Sequence, residues 1–357
     1  MASDGLASAA AADSIADVGT LPDIGRREFG GWRVPAAAAA VVSALPLVVS
    51  AYGQDLVLRI AVYAIFALSL ELLVGATGLV SLGHSAFLGI GAYATVLASG
   101  SDGASIAWLL PLAMVTAAAY AAVVGALSLR TRGVYFIMVT LAFAQMAYFV
   151  AHDTKAAGGS DGIFLYAKPT LALGGTTLLD LDHRIALYYT VLVALVATYA
   201  FIAMLLASRF GHALAGIRVN EQRMRAAGFS TTPYKLAAFA VAGALAGLAG
   251  FLLAVKDGTV NPELLSWHES GAVLLMLIFG GIGSLRGAVL GAVAFTLLKE
   301  LFQSEALLGA LAPHWQLTLG LTIIAFVAAL PRGLIGIGAR LRSLAHERAA
   351  RAARKAA

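Results

Sequence analysis

The sequence has no cysteine in 357 residues. That excludes disulfides, thiol catalysis and cysteine-ligated metal, and it selects no compartment. Charge is scarce too. Asp, Glu, Lys and Arg together make up 12% of the chain, about half the share of an ordinary soluble domain. No Gly-Lys-Ser or Gly-Lys-Thr follows any glycine cluster, no His-Glu-x-x-His occurs, and no serine triad stands out. The chain therefore shows no energy source or catalytic constellation of its own. His84 is a lone histidine with no second ligand at metal-binding spacing, so no metal site is expected.

What the sequence has is apolar length. It is 60% hydrophobic, with a mean hydropathy of +0.87. Ten apolar runs can be marked: 34–52, 56–76, 83–99, 104–129, 133–151, 185–207, 234–255, 270–282, 287–302 and 315–331. They are continuously apolar, which argues against the period-two alternation of a transmembrane barrel. Lipid leaves backbone polar groups no partner outside the helix itself. The expected fold is all-α: a polytopic integral membrane protein with about ten helical segments, some short or broken. Run 270–282 is shorter than the roughly 20 residues of a straight span. It reads as a half-helix or re-entrant piece meeting 287–302 at a break. The stretch 76–86, ATGLVSLGHSA, is likewise too polar and glycine-broken for a plain helix.

The basic residues set the orientation. Arg130 and Arg132 lie in one short turn, four arginines in segment 208–233, and seven Lys or Arg after Pro331. With ten alternating spans, all three segments fall on one side. The acid-bearing loops 152–184 and 256–269 fall on the other. The positive-inside rule then puts both termini in the cytoplasm. Three regions follow: a disordered N-terminal extension over 1–33, a transmembrane domain over 34–331, and a basic tail over 332–357. The acidic start lacks the basic region of a cleaved signal peptide. The net charge of +5 is explained by orientation, so no nucleic acid is expected.

Segment 208–233, SRFGHALAGIRVNEQRMRAAGFSTTP, carries Arg209, Arg218, Arg223 and Arg225 against a single acid, Glu221. A polar, arginine-bearing loop between two apolar runs reads as a docking surface for a soluble partner. The alternation from Ala213 to Ala227 suits a short amphipathic helix beside the bilayer. At membrane depth, GLVSLGHSAFLGIGAYA (78–94) has two readings. It is a bent helix lining a path, with Ser81, His84 and Ser85 offering hydrogen bonds, or a packing element built on Gly89 and Gly91. Glu71, inside FALSLELLVG, contacts a substrate amine, pairs with another span or sits near a headgroup; a structural interhelical hydrogen bond is the alternative. Arg59 lies about 18 Å away along the helix, too far to pair with it. Thr140 and Gln145 are the polar residues of 133–151 and face some neighbour. Gly243 with Gly247, and Gly283, Gly287 and Gly291, allow close helix approach.

Taken together, GLVSLGHSAFLGIGAYA, RTRGVYFIMVTLAFAQM, GGSDGI and GGIGSLRGAVLGA resemble blocks of the permease subunits of branched-chain amino acid ABC transporters, of the LivM type. So does SRFGHALAGIRVNEQRMRAAGFSTTPYKLAAFAVAGALAGLAG, and the resemblance covers roughly 55–335. It implies an ABC importer permease fold. It also implies a second, LivH-type permease, two cytoplasmic ATP-binding subunits and an extracytoplasmic binding protein, in a bacterial cytoplasmic (inner) membrane. No cofactor is implied in this chain, since ATP belongs to the ATPases. Gly211, Ala215, Arg218, Asn220, Glu221 and Gly228 match the family's coupling pattern, which makes 208–233 the segment that enters a groove on the ATPase. Arg218 and Glu221 are expected to contact that partner. Glu71, Ser81, His84, Thr140 and Gln145 are the path candidates. Glu71 stands where the family commonly has Asn, and Val80 where it has Gln, which bears on the substrate. His212 and Gly216 replace a frequent Arg and Ala.

The implied activity is transport by alternating access, with no enzyme chemistry. Two alternatives stand beside branched-chain amino acids as cargo. One is a permease of the same family for urea, short amides or another small organic solute. The other is an ion-coupled secondary transporter dependent on Glu71 protonation. An integral membrane enzyme lacks the residues it needs.

Overall fold

The computed structural model describes residues 42–47, 49–100, 104–173, 176–304, 313–330 and 333–336. The extension 1–33 lies outside them, as do residues 34–41 and 48 of the first apolar run and most of the basic tail. Eleven α-helices carry the described chain: α1 Ala51–Thr77, α2 His84–Ser99, α3 Ile106–Ser128, α4 Val134–Asp153, α5 Arg184–Ala207, α6 Arg209–Val219, α7 Glu221–Ala226, α8 Thr231–Asp257, α9 Trp267–Gly280, α10 Leu285–Gln303 and α11 Trp315–Ala329. Each apolar run after the first coincides with one of them. By length and composition, α1, α3, α4, α5, α8 and the span Trp315–Gly336 can each cross a membrane, and α9 with α10 adds a seventh crossing if joined. The expected ten segments are therefore present as helices after the first, but not each is a full span.

Burial sorts the helices. The most apolar windows of α1 and α8 are 78% buried, against 22% in α4 and α5. The first two form the centre, and the outward faces of α4 and α5 are left for lipid or another subunit. The centre is tight because small residues let backbones touch. A methyl group on Gly91 of α2 would lie 2.6 Å from the Cα of Gly247 in α8.

α9 and α10 meet at 115° across Gly281–Ser284. Gly281 and Gly283 there have φ values of 106° and 95°, a region that costs L-residues with side chains. The half-helix expected at 270–282 is thus an arm of a bent pair. α1 stops at Gly78, whose φ of 74° ends the helix. Residues 78–83 run without regular structure before α2 begins.

Loops 152–184 and 256–269 meet. Strand β1, Ile163–Phe164, pairs antiparallel with β4, Thr259–Val260, so that Ile163 faces Val260. A second ribbon joins β2, Thr170–Leu173, to β3, Thr176–Asp180. These short ribbons decorate one face of a helical molecule. α8 runs from segment 208–233 at one end to β4 at the other, so the two acid-bearing loops lie on the face opposite that segment.

Candidate functional site: the 208–233 surface and the polar residues behind it

Segment 208–233 forms two helices, not the single one expected over Ala213–Ala227. The break is at Asn220, whose backbone is extended (φ −157°, ψ 100°). Its side chain explains the break: Oδ1 accepts from the Arg223 amide at 2.9 Å and caps α7. Ser208 opens α6 in the same manner through the Gly211 amide at 3.5 Å. Gly211 is buried, and a Cβ there would strike the backbone of Leu206. Ala213, Leu214 and Ile217 turn inward, and Ala215 is half-buried beside them. Gly228 has φ 88° with open space around it, so its role is the turn itself.

The two charged residues expected to face a partner are engaged within the chain. Arg218 donates from its guanidinium to the Gly75 carbonyl of α1. Glu221 accepts from Arg225 and Lys235, each at 2.6 Å, and from Thr231 at 2.9 Å. Burial alone would raise the Glu221 carboxyl. The hydrogen bonds from Lys235, Thr231 and Arg225 outweigh it and hold the group at about 2. The residues left over are basic. Among the described residues Arg130, Arg132, Arg209 and Arg223 make no ion pair. A cavity of about 590 Å³ separates α6 and α7 from the unwound stretch at Gly78–Val80 and from the turn at Arg130–Gly133.

Behind this surface the path candidates divide. Glu71 is 3% exposed, and its Oε1 accepts from the Gly283 amide at 2.7 Å. It therefore braces the break between α9 and α10, which is the interhelical alternative read from the sequence. Ser81 accepts from the Gly83 amide at 3.2 Å, and Gly83 packs against the Thr140 carbonyl. The Thr140 hydroxyl turns back to Ile137 O at 2.9 Å. Ser81, His84 and Thr140 are fully enclosed, and none of the five candidates lines the 590 Å³ cavity. Gln145 is half-buried further along α4 and does not join the others.

His84 sits between Phe66, stacked at 5.3 Å, and Phe87, edge-on at 5.3 Å. Its Nε2 lies 2.8 Å from Ser69 Oγ, and that hydroxyl donates to Phe66 O at 2.7 Å. The serine proton being so committed, the imidazole proton is assigned to Nε2 and donated to Ser69. Beside it, the Ser85 amide donates to Ser270 Oγ at 2.8 Å, and the Ser270 hydroxyl to Ser85 Oγ at 2.7 Å.

Residues 54–329 match the family model described as branched-chain amino acid transport system / permease component. The chain belongs to this family. It is 33% identical over 282 residues to the high-affinity branched-chain amino acid transport system permease protein LivM of Salmonella typhimurium, covering 74% of this chain and 66% of the relative. To LivM of Escherichia coli it is 33% identical over 279 residues, 73% of this chain and 66% of the relative. To LivH of Escherichia coli it is 24% identical over 254 residues, 67% of this chain and 81% of the relative. The chain thus spans just under two thirds of the LivM relatives' own length. No solved structure matches.

Within the permease family frame, the site is two layers. The outer layer is a basic, capped helix pair. The inner layer is a set of buried hydroxyls, an imidazole and a carboxylate that fasten α1 to α2 and to the α9–α10 break. Sequence reading missed Ser69 and Ser270. Each is a single hydroxyl in an apolar run, and their partners lie 15 and 185 residues away, so no local spacing announces them.

Proposed function

We propose that this chain is the LivM-type membrane subunit of an ATP-driven importer for branched-chain amino acids in a bacterial cytoplasmic membrane. It pairs with a LivH-type permease. Two ATP-binding subunits dock on the 208–233 face, which lies in the cytoplasm with both termini, and a binding protein delivers substrate to the opposite face. The observation that carries this reading is the surface built by α6 and α7. Its own acid is already neutralised, its free arginines point outward, and its polar links inward run to α1 through Arg218 and to α8 through Glu221. A surface that is basic outside and fastened inside suits transmission of force from a soluble partner.

The roles follow. Gly211 and Ala215 allow α6 to pack closely, while Asn220 and Gly228 shape the turns on either side of α7. Arg218 and Glu221 hold the pair to α1 and α8, and Arg209 and Arg223 meet acids of the ATPase. ATPase closure pushes α6 and α7. The push passes through Gly75 to the Glu71–Gly283 contact and tilts the α9–α10 break, alternating access between the faces. The described state is closed around Ser81, His84 and Thr140; opening parts α2 from α4 and turns them toward the path, while Gln145 faces the second permease.

The test is reconstitution of the chain with its co-purifying subunits into vesicles. ATP-dependent leucine uptake is expected. The double variant Arg209→Glu with Arg223→Glu is expected to lose the ATPases on purification. Uptake that runs on an ion gradient without ATPases, or co-purification indifferent to the double reversal, would sink the reading.

A further inference from the structure

On the face opposite the 208–233 segment, α1, α8, α9 and α10 enclose a second cavity of about 140 Å³. Its charges carry both signs: Arg59 and Lys299 on one hand, Asp257, Glu269 and Glu300 on the other. Asp257 is taken by Lys256 at 2.7 Å. The others do not close on one another. Lys299 makes no ion pair among the described residues and lies over the Trp315 ring at 5.5 Å. Among the described residues Arg59 pairs only with Asp55, at 3.9 Å and on its own helix. Glu269 accepts from the neutral Tyr63 phenol at 3.2 Å, and Glu300 from that of Tyr52. Leu253, Leu264, Met276 and Phe295 supply an apolar wall.

Lys299, Glu269 and Glu300 are half-buried, with the exposed Arg59 at the rim, and charges of opposite sign that share a cavity without forming an ion pair are costly unless something completes them. A ligand that completes both must itself carry both charges. The wall asks for an aliphatic group, and the volume suits one small molecule, not a peptide. Resting on the importer reading above, we infer that this cavity is a receiving site for a zwitterionic α-amino acid with an aliphatic side chain. Lys299 and Arg59 face its carboxylate, Glu269 and Glu300 its ammonium, and Leu253 and Met276 its side chain. An uncharged solute such as urea answers these groups with hydrogen bonds but not with charge, so the site favours an amino acid over that cargo.

The site lies beside α9 and α10, between their outer ends. Occupancy therefore bears on the same bent pair that Glu71 braces from the other side, which gives a substrate at this face a direct hold on the moving part.

The experiment is equilibrium binding of radiolabelled leucine to the chain purified with its membrane and ATPase partners, without any binding protein. Leucinamide, which lacks the carboxylate, and 4-methylpentanoate, which lacks the ammonium, are the competitors. Each is expected to compete about tenfold or more weakly than unlabelled leucine, because each leaves one set of charges unanswered. Lys299→Gln and Glu269→Gln are expected to weaken leucine binding by a similar factor, with Lys299→Arg retaining most of it. Competition by leucinamide equal to that by leucine overturns the site, as does leucine affinity unchanged in both Gln variants. These results leave the importer reading intact if uptake persists. A complex that neither binds nor takes up leucine overturns both.

Discussion

The Gly283 amide donates to Glu71 Oε1 at 2.7 Å, so a carboxylate buried in α1 closes the bend between α9 and α10. Four residues further along α1, the Gly75 carbonyl receives Arg218 from α6. One turn of helix thus carries both the attachment of the surface pair and the brace of the bend. A carboxylate at membrane depth is expensive, and here it has a structural employment that does not depend on proton transfer.

It follows that Glu71→Gln, which keeps an oxygen acceptor for Gly283, leaves the protein folded and transporting. Glu71→Leu leaves the amide without that acceptor and lowers stability by about 1–2 kcal/mol. Thermal denaturation of the detergent-solubilised complex reads the difference. A folded Glu71→Gln protein that has lost all uptake would instead favour the proton-coupled alternative.

Backbone contact between α2 and α8 gives a second expectation. A methyl at Gly91 meets the Gly247 Cα and carbonyl, each at 2.6 Å, and backbone cannot swing aside as a side chain can. Gly91→Ala is expected to cost about 1–3 kcal/mol through overpacking. Gly320 in α11 has ordinary helical dihedrals and nothing within 4 Å of an added Cβ. There Gly→Ala is expected to be neutral or to stabilise, by about 0.5–1 kcal/mol at most. Equal losses at the two positions would contradict the packing argument.

The contrast between these glycines shows where sequence reasoning stops. Hydropathy placed the helices because it acts residue by residue, and the glycine-broken stretches at 78–83 and 281–284 were visible for the same reason. The acid-bearing loops could be put on one face by charge, although their meeting through Ile163 and Val260 could not. Glu71 was visible as an anomaly, but its partner lies 212 residues away, and nothing in either segment encodes that pairing. The single helix expected over Ala213–Ala227 failed on one residue. Asn220 fits an amphipathic pattern by polarity, yet its amide side chain competes for the backbone and starts a new helix.

That cap is testable. Asn220→Ala removes the acceptor for the Arg223 amide and is expected to cost about 1 kcal/mol, felt in a helix of six residues. Asn220→Asp keeps the acceptor. On the proposed function, the alanine variant binds leucine normally while leucine stimulates its ATPase less, and the aspartate variant behaves as the parent. Loss of leucine binding together with stimulation would place Asn220 in general folding instead.

Glu221 gives the segment a pH signature. Its carboxyl is held at about 2 against an ordinary 4.5, because Lys235, Thr231 and Arg225 favour the charged form more than burial disfavours it. A depressed carboxylate contributes stability that is fully present above the unfolded value and is lost as pH falls through the folded one. The contribution is therefore constant above about pH 5 and declines from 4.5 toward 2. Glu221→Gln removes it at every pH. The gap in melting temperature between the parent protein and Glu221→Gln is then expected to be flat from pH 8 to about pH 5 and to shrink below that. Part of the loss is discounted because the Arg225 side chain is 49% exposed and its pair is screened by salt. A gap that widens on acidification would mean that Glu221 is carried protonated in the folded chain, against the three donors around it.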